Sequence, residues 1–199
     1  MTQLEASSTL AQQIRTAERE LRDKRAALCE MRKRLAASDV EDYTLTRPDG
    51  AKVRLSALFG DKRDLILVHN MGTGCPYCTL WGDGFNGIAH HLEDRAAFVM
   101  VSPDSPATVA KFSASRGWKF TMVSAAGTTL VDDLRFFEDE TDPHAGAHRG
   151  VSTLRKTADG KIRRVACAPF GPGDVYCTAW HVFELLEGGA GEWAPKYAY

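Results

Sequence analysis

The chain has 199 residues, is 44% hydrophobic and 26% charged, and carries a formal net charge of −1, the profile of one globular domain with an appendage. So weak a field excludes electrostatic attraction to nucleic acid or to an anionic membrane. The opening MTQLEASSTLAQQIRTAERE lacks an apolar signal core and no apolar run is long enough to span a bilayer, so a cytoplasmic protein is expected.

The first element predicted is one long helix, from about Ser8 to Ala37. Leu10, Ile14, Ala17, Leu21, Leu28, Met31 and Leu35 follow a heptad seam with Lys24 in its one polar slot, and charges fill the other faces. A single helix cannot bury such a stripe by itself. It must dock on its own domain or pair with a second chain, and the pattern satisfies either. The expected organisation is a helical arm over 1–40, a domain over 41–190 and an irregular tail over 191–199.

DYTLTRPDGAKVRLSALFGDKR reads as a hairpin turning at Pro48-Asp49-Gly50. DLILVHN is a continuous apolar run, the mark of a strand buried on both faces. A helix follows from Pro76 to about Leu92, weakened by its glycines. AAFVMVSP is a second buried strand. SPATVAKFSASRGW is a helix with Ser105 as N-cap, Pro106 at its first position and Gly117 past its end. KFTMVSA is a third strand, and Thr141 to Gly150 a polar loop. GVSTLRKTADGKIRRVACAPF is a second hairpin turning at Asp159-Gly160, and a last helix runs from about Val175 to Leu186. This order predicts an α/β fold with a mixed sheet: parallel central strands, antiparallel edges, and functional residues at the carboxyl ends of the central strands.

At one such end the sequence GTGCPYC delivers Cys75 and Cys78 to a helix start. The five cysteines (Cys29, Cys75, Cys78, Cys167, Cys177) are odd in number with one close pair, which is no disulfide framework. Residues three apart on a helix share a face, within disulfide reach. Cys75, beside the free N–H groups of the first turn, is expected to have a depressed pKa and to be the nucleophile. Cys78, one turn deeper, is the natural resolving thiol. A C-x-x-C between an apolar strand and a helix reads as a redox dithiol. Two alternatives stay open, half of a metal or cluster site and simple packing, although no second C-x-x-C exists and His90-His91 lack the spacing for zinc. No cofactor and no metal site is predicted. A catalytic Cys75 is expected to be exposed, a structural one to be buried.

The tetrapeptide CPYC on a strand–loop–helix resembles a thioredoxin-fold active site and is typical of glutaredoxins. Over most of its length the chain is similar to something narrower. TRPDGAKVRLSALFGDKRDLILVHNM, GCPYCTLWGDGFNGIAHHL and SRGWKFTMVSAAG look like an uncharacterised thioredoxin-like bacterial family, a domain of unknown function related to the alkyl hydroperoxide reductase and thiol-specific antioxidant group. The resemblance implies a thioredoxin-like fold and no established substrate, and several relatives are not known to be enzymes; it is the dithiol that predicts a thiol or disulfide substrate, protein or small molecule. Val68 and Gly72 stand where peroxiredoxins carry the proline and threonine of P-x-x-x-T-x-x-C, which disfavours peroxidase activity. The thioredoxin cis-proline position falls by chain order near Val151-Ser152-Thr153, where there is no proline. His69 occupies the place of the buried aspartate that thioredoxins use to relay a proton to the deeper cysteine. It is read either as the base for Cys78 or as a core histidine. Trp81, Phe85, Cys167 and Cys177 read as packing, Tyr77 as a partner contact, and His144 and His148 as loop residues.

Overall fold

A computed structural model describes residues 3–35, 38–136 and 149–199. Helix α1 (Gln3–Leu35) leads into strand β1 (Ser38–Val40). The first hairpin, β2 (Thr44–Thr46) with β3 (Lys52–Arg54), turns as expected. Gly50 takes φ 88 and the Asp49 carboxylate accepts from the Ala51 N–H at 2.9 Å. The second strand of this hairpin is shorter than the sequence suggests. Leu55–Phe59 instead closes a 3₁₀ turn, which puts Leu55, Leu58 and Phe59 together inside the core.

Strand β4 (Asp64–His69), helix α2 (Pro76–Arg95), strand β5 (Ala97–Ser102), helix α3 (Pro106–Arg116) and strand β6 (Thr121–Ser124) then form two crossover units with parallel pairing. Helix α2 runs three residues past the expected end at Leu92. Gly82 inside it is required by packing, because a Cβ there would lie 2.4 Å from the Trp118 ring. Helix α3 begins as predicted, with the Ser105 hydroxyl accepting from the Thr108 N–H at 3.2 Å, and ends at Gly117 with φ 64.

A short helix α4 (Leu130–Asp133) follows. Strands β7 (Gly150–Lys156) and β8 (Ile162–Pro169) make the second hairpin, and helix α5 (Thr178–Phe183) closes the chain. Helix α5 is shorter at both ends than predicted. The Asp174 carboxylate accepts from the N–H groups of Tyr176 at 2.6 Å and Cys177 at 3.1 Å, which spends those residues on a turn before the helix. Most of the polar loop predicted over Thr141 to Gly150, with His144 and His148, lies outside the described residues.

The eight strands form one mixed sheet in the order β1-β8-β7-β4-β5-β6-β2-β3. Alternation along β4 splits its side chains. Leu65 and Leu67 join the core of Leu45, Leu55, Val99, Val101 and Leu154, while Ile66 and Val68 join the aromatic core under α2 and α3. The aromatic layer holds Trp81, Phe85, Phe98, Trp118, Phe120, Phe170 and Trp180, so Trp81 and Phe85 do pack. Burying both faces of β4 explains its unbroken apolar sequence. Among the described residues no helix is long and apolar enough to cross a membrane.

Candidate functional site

The site grows from the loop between β4 and α2. Strand β4 ends where the Asn70 N–H still reaches the Val101 carbonyl at 2.9 Å. The Asn70 side chain then accepts from the Gly72 N–H at 2.6 Å, and Asp104, at the end of β5, accepts from the Thr73 N–H at 2.7 Å. Gly72 has φ 99, and a Cβ there would meet the Asp104 carboxylate at 3.0 Å, so glycine is needed twice over. The loop is thus braced by a carboxylate just past the neighbouring parallel strand, which holds the approach to Cys75.

Cys75 is the N-cap of α2. Its Sγ accepts from the Cys78 N–H at 3.1 Å, and Pro76 occupies the first helical position, where no N–H is wanted. The Cys78 thiol also donates to the Cys75 sulfur. These bonds, then the charge of Arg149, hold the Cys75 pKa down to about 6 against burial. Cys78 is displaced the other way, because its proton is held by the Cys75 sulfur and because it is buried. The Met71 N–H, 3.5 Å from Cys78 Sγ, offsets this only in part. One thiolate and one thiol share the first turn, in the polarity that a nucleophile and a resolving thiol need.

Arg149 was not singled out from the sequence. It precedes β7, is buried, donates through Nε to the Phe170 carbonyl at 3.0 Å and lies 3.8 Å from Met71 Sδ through Nη1. Strand β7 begins at Gly150, so Arg149, rather than Val151-Ser152-Thr153, holds the position just before the strand that faces the dithiol. Gly150 permits this approach, since a Cβ there would sit 2.4 Å from the Ala168 carbonyl oxygen. Among the described residues no peptide bond is cis. Nothing local marks Arg149 in the sequence. Its relation to Cys75 exists only through the pairing of β7 with β4.

The exposure expected of a catalytic Cys75 is not met: it is 9% exposed, and Cys78 is 3% exposed. Two features hold its surroundings. The sulfur is turned inward as the helix cap, and the C-terminal tail is tied to the same loop. There the Tyr197 hydroxyl donates to the Thr73 carbonyl at 2.9 Å, its own carbonyl accepts from Arg116 Nη1 at 2.7 Å, and its ring meets Phe112 edge-on. Tyr77, between the cysteines, stacks on Trp180 at 6.2 Å, a partly buried contact within the fold.

His69 is 2% exposed, and its Nε2 lies 2.9 Å from the Ser152 hydroxyl. Ser152 also accepts from Arg164 Nε at 3.1 Å, and Arg164 is buried against the Leu134 and Arg135 carbonyls. The His69 ring stands edge-on to Phe136 at 5.1 Å. Strand alternation puts it on the Leu65 and Leu67 side, while the dithiol helix lies over Val68. Being the last residue of β4, it nevertheless lines with Cys78, Asn70 and Trp81 one small void at the strand end. Cys167 and Cys177 are buried, with pKa values raised by that burial; neither belongs to the dithiol. Among the described residues no three histidine, cysteine, aspartate or glutamate side chains converge as metal donors.

Residues 4–189 match the profile of the family described as "Bacterial protein of unknown function (DUF899)". No curated protein matches the chain. Among solved structures it is similar to the peroxidoxin BcpB of Mycobacterium tuberculosis. The two are 22% identical, over 67% of this chain and 84% of that one, with a TM-score of 0.51. It is also similar to the yeast mitochondrial 1-Cys peroxiredoxin, at 16% identity over 67% of this chain and 66% of that one, with a TM-score of 0.51. At these identities the likeness is one of fold: a thioredoxin-like sheet with flanking helices, here preceded by a long N-terminal helix.

Proposed function

The chain belongs to the DUF899 family of bacterial proteins of unknown function, and we propose that it is a thiol-disulfide oxidoreductase acting through Cys75 and Cys78. The observation that carries this reading is the placement of the dithiol in the first turn of α2, where the Cys75 sulfur caps the helix and accepts from the Cys78 N–H at 3.1 Å. There the Cys78 thiol and N–H hold Cys75 down to about 6, and Cys78, whose proton the Cys75 sulfur holds, is pushed up by the same contact. At neutral pH Cys75 is a thiolate and Cys78 keeps its proton. The Cys75 thiolate attacks one sulfur of a substrate disulfide, forming a mixed disulfide and releasing the other sulfur as thiolate. That step removes the charge and the hydrogen-bond acceptor that held the Cys78 proton. Cys78 then loses its proton, attacks the Cys75 sulfur, and releases the substrate's second thiolate. The substrate gains two electrons, the protein ends as the Cys75–Cys78 disulfide, and a thiol reductant returns it to the dithiol.

His69 is the imidazole assigned to take the Cys78 proton, across the void that both line. Arg149 stabilises the Cys75 thiolate. Val68 and Gly72 lack the side chains of a peroxidatic pocket, so peroxide is not the assigned substrate.

The burial of Cys75 favours a second reading, a non-catalytic module whose dithiol packs or binds metal with donors from elsewhere. One experiment separates the two. The reduction potential of the Cys75–Cys78 pair is measured on metal-free protein, with metal assayed on the same preparation, beside trapping with Cys78→Ser. A reversible disulfide and mixed disulfides on Cys75 support the oxidoreductase. Thiols inert to exchange in folded protein refute it.

A further inference from the structure

Helix α1 is 33 residues long, yet none of its described side chains is buried. It packs against β8 and is pinned near its end by Arg32, whose Nη1 donates to the Tyr176 hydroxyl at 3.3 Å. Its seam stays in water: exposure runs from 41% at Leu28 to 63% at Leu35, with Leu10, Ile14, Leu21 and Met31 between. A helix of this length held at one side leaves the expected heptad stripe without a partner. Beneath the Leu28 turn a cavity of about 530 Å³ separates α1 from the sheet, walled by Ile66, Phe85, Leu92 and Val151 with Arg25 and Arg32 at its helix side. The stripe and this groove are continuous through Leu28.

We propose that the occupant of this surface is a second copy of the chain, with the two α1 helices paired antiparallel. The orientation follows from charge. Up to Glu20 the helix carries Glu5, Glu18 and Glu20 against Arg15 and Arg19, a net −1. From Leu21 onward it carries six basic residues (Arg22, Lys24, Arg25, Arg32, Lys33, Arg34) against Asp23 and Glu30, a net +4. A parallel in-register pair would set the two basic halves side by side and bury Lys24 against Lys24. The antiparallel pair sets each basic half against the less charged half of the other copy.

The register is equally determined. Leu10 meets Leu35 of the second copy, Ile14 meets Met31, Ala17 meets Leu28, and Leu21 meets Lys24, so every seam residue is used. Glu18 comes opposite Arg25 of the other helix, beside the groove. The small Ala17 falls at Leu28, where the groove opens. The overlap, about 26 residues at roughly 1.5 Å each, is a strip about 39 Å long. Two such helix faces together with the groove walls reach the area of about 1,000 Å² or more that a specific interface needs.

The test uses the full chain. Light scattering at tens of micromolar should give twice the mass of 21.9 kDa, and Ile14→Asp, which sets a carboxylate against Met31 of the second copy, should weaken association at least a hundredfold and give monomers. Orientation is read by oxidative cross-linking of two differently tagged chains, Ile14→Cys and Met31→Cys, each in a Cys29→Ser background. The expected product is the mixed 14–31 disulfide. Because Ile14→Asp can also act by unfolding α1, Lys24→Leu supplies the opposite readout: removing the polar slot should tighten association at least tenfold and admit like-with-like cross-links. A monomeric wild-type chain, like-with-like cross-links in the presence of Lys24, or a dimer indifferent to both Ile14→Asp and Lys24→Leu would each overturn the proposal.

Discussion

Replacing Cys75 by serine isolates the energetic consequence of its thiolate, because a serine hydroxyl is itself a good N-cap and keeps the start of α2 intact. In the unfolded chain both thiols titrate at ordinary values; in the fold Cys75 falls from 9.0 to about 6 while Cys78 stays protonated. A group whose pKa is depressed on folding adds stability that is complete above the unfolded pKa and is lost as pH falls through the folded one. Between about pH 6 and pH 9 the unfolded chain therefore binds one more proton than the native one. Stability should rise at about 1.4 kcal/mol per pH unit, to a total near 4 kcal/mol. Above pH 9 the sign reverses, since the unfolded chain ionises both thiols while the native one retains the Cys78 proton. Urea unfolding of reduced, metal-free protein across this range, with the same curves for Cys75→Ser subtracted from it, should show a difference that grows with pH between about 6 and 9 and then stops growing. The rate of iodoacetamide alkylation at Cys75 should rise with a midpoint near 6. Parallel stability curves for the two proteins, or an alkylation midpoint at the value of a free thiol, would refute the assignment of a thiolate cap.

Arg149→Met should raise that alkylation midpoint by about half to one pH unit, since it removes a nearby opposite charge; an unchanged midpoint would take Arg149 out of the site. Removing the tail after Trp193, or Tyr197→Ala alone, should speed Cys75 alkylation at fixed pH by about three- to tenfold by freeing the Thr73 loop, and equal rates would mean that the tail does not cover the thiol. His69→Ala should leave the first attack by Cys75 nearly unchanged and slow resolution by Cys78 about ten- to a hundredfold in stopped-flow exchange with a small disulfide. The same change should cost about 1–3 kcal/mol, because the Ser152 hydroxyl loses a buried partner; unchanged resolution in the folded variant leaves His69 a core residue.

What was legible in the sequence is what short-range chemistry decides. Cys75-Pro76 reads as a cap and first turn because a thiolate wants free N–H groups and proline offers none to waste; Ser105, Pro106 and Gly117 bracket α3 for similar reasons, and Gly50 and Gly160 turn their hairpins at φ 88 and 83. The two-sided burial of β4 shows in its unbroken apolar run, and the α/β order with a mixed sheet follows from such pieces, while the thioredoxin-like fold was implied by the family resemblance. Contacts between residues far apart in the chain were decided only by the tertiary structure. Asp104 braces Thr73 because β5 lies parallel to β4, and Arg149 reaches the dithiol because β7 pairs with β4. Tyr197, at the other end of the chain, ties down the loop that leads to Cys75, a cysteine that is buried although its local sequence reads as exposed. His69 shows the division within one residue: its offset from Cys75 is sequence, but its bond to Ser152, itself held by Arg164, comes from two strands that a linear reading cannot align. Hydrogen bonds and caps within one turn depend on neighbours in the chain; burial and electrostatic environment depend on neighbours in space, and the sheet chooses those.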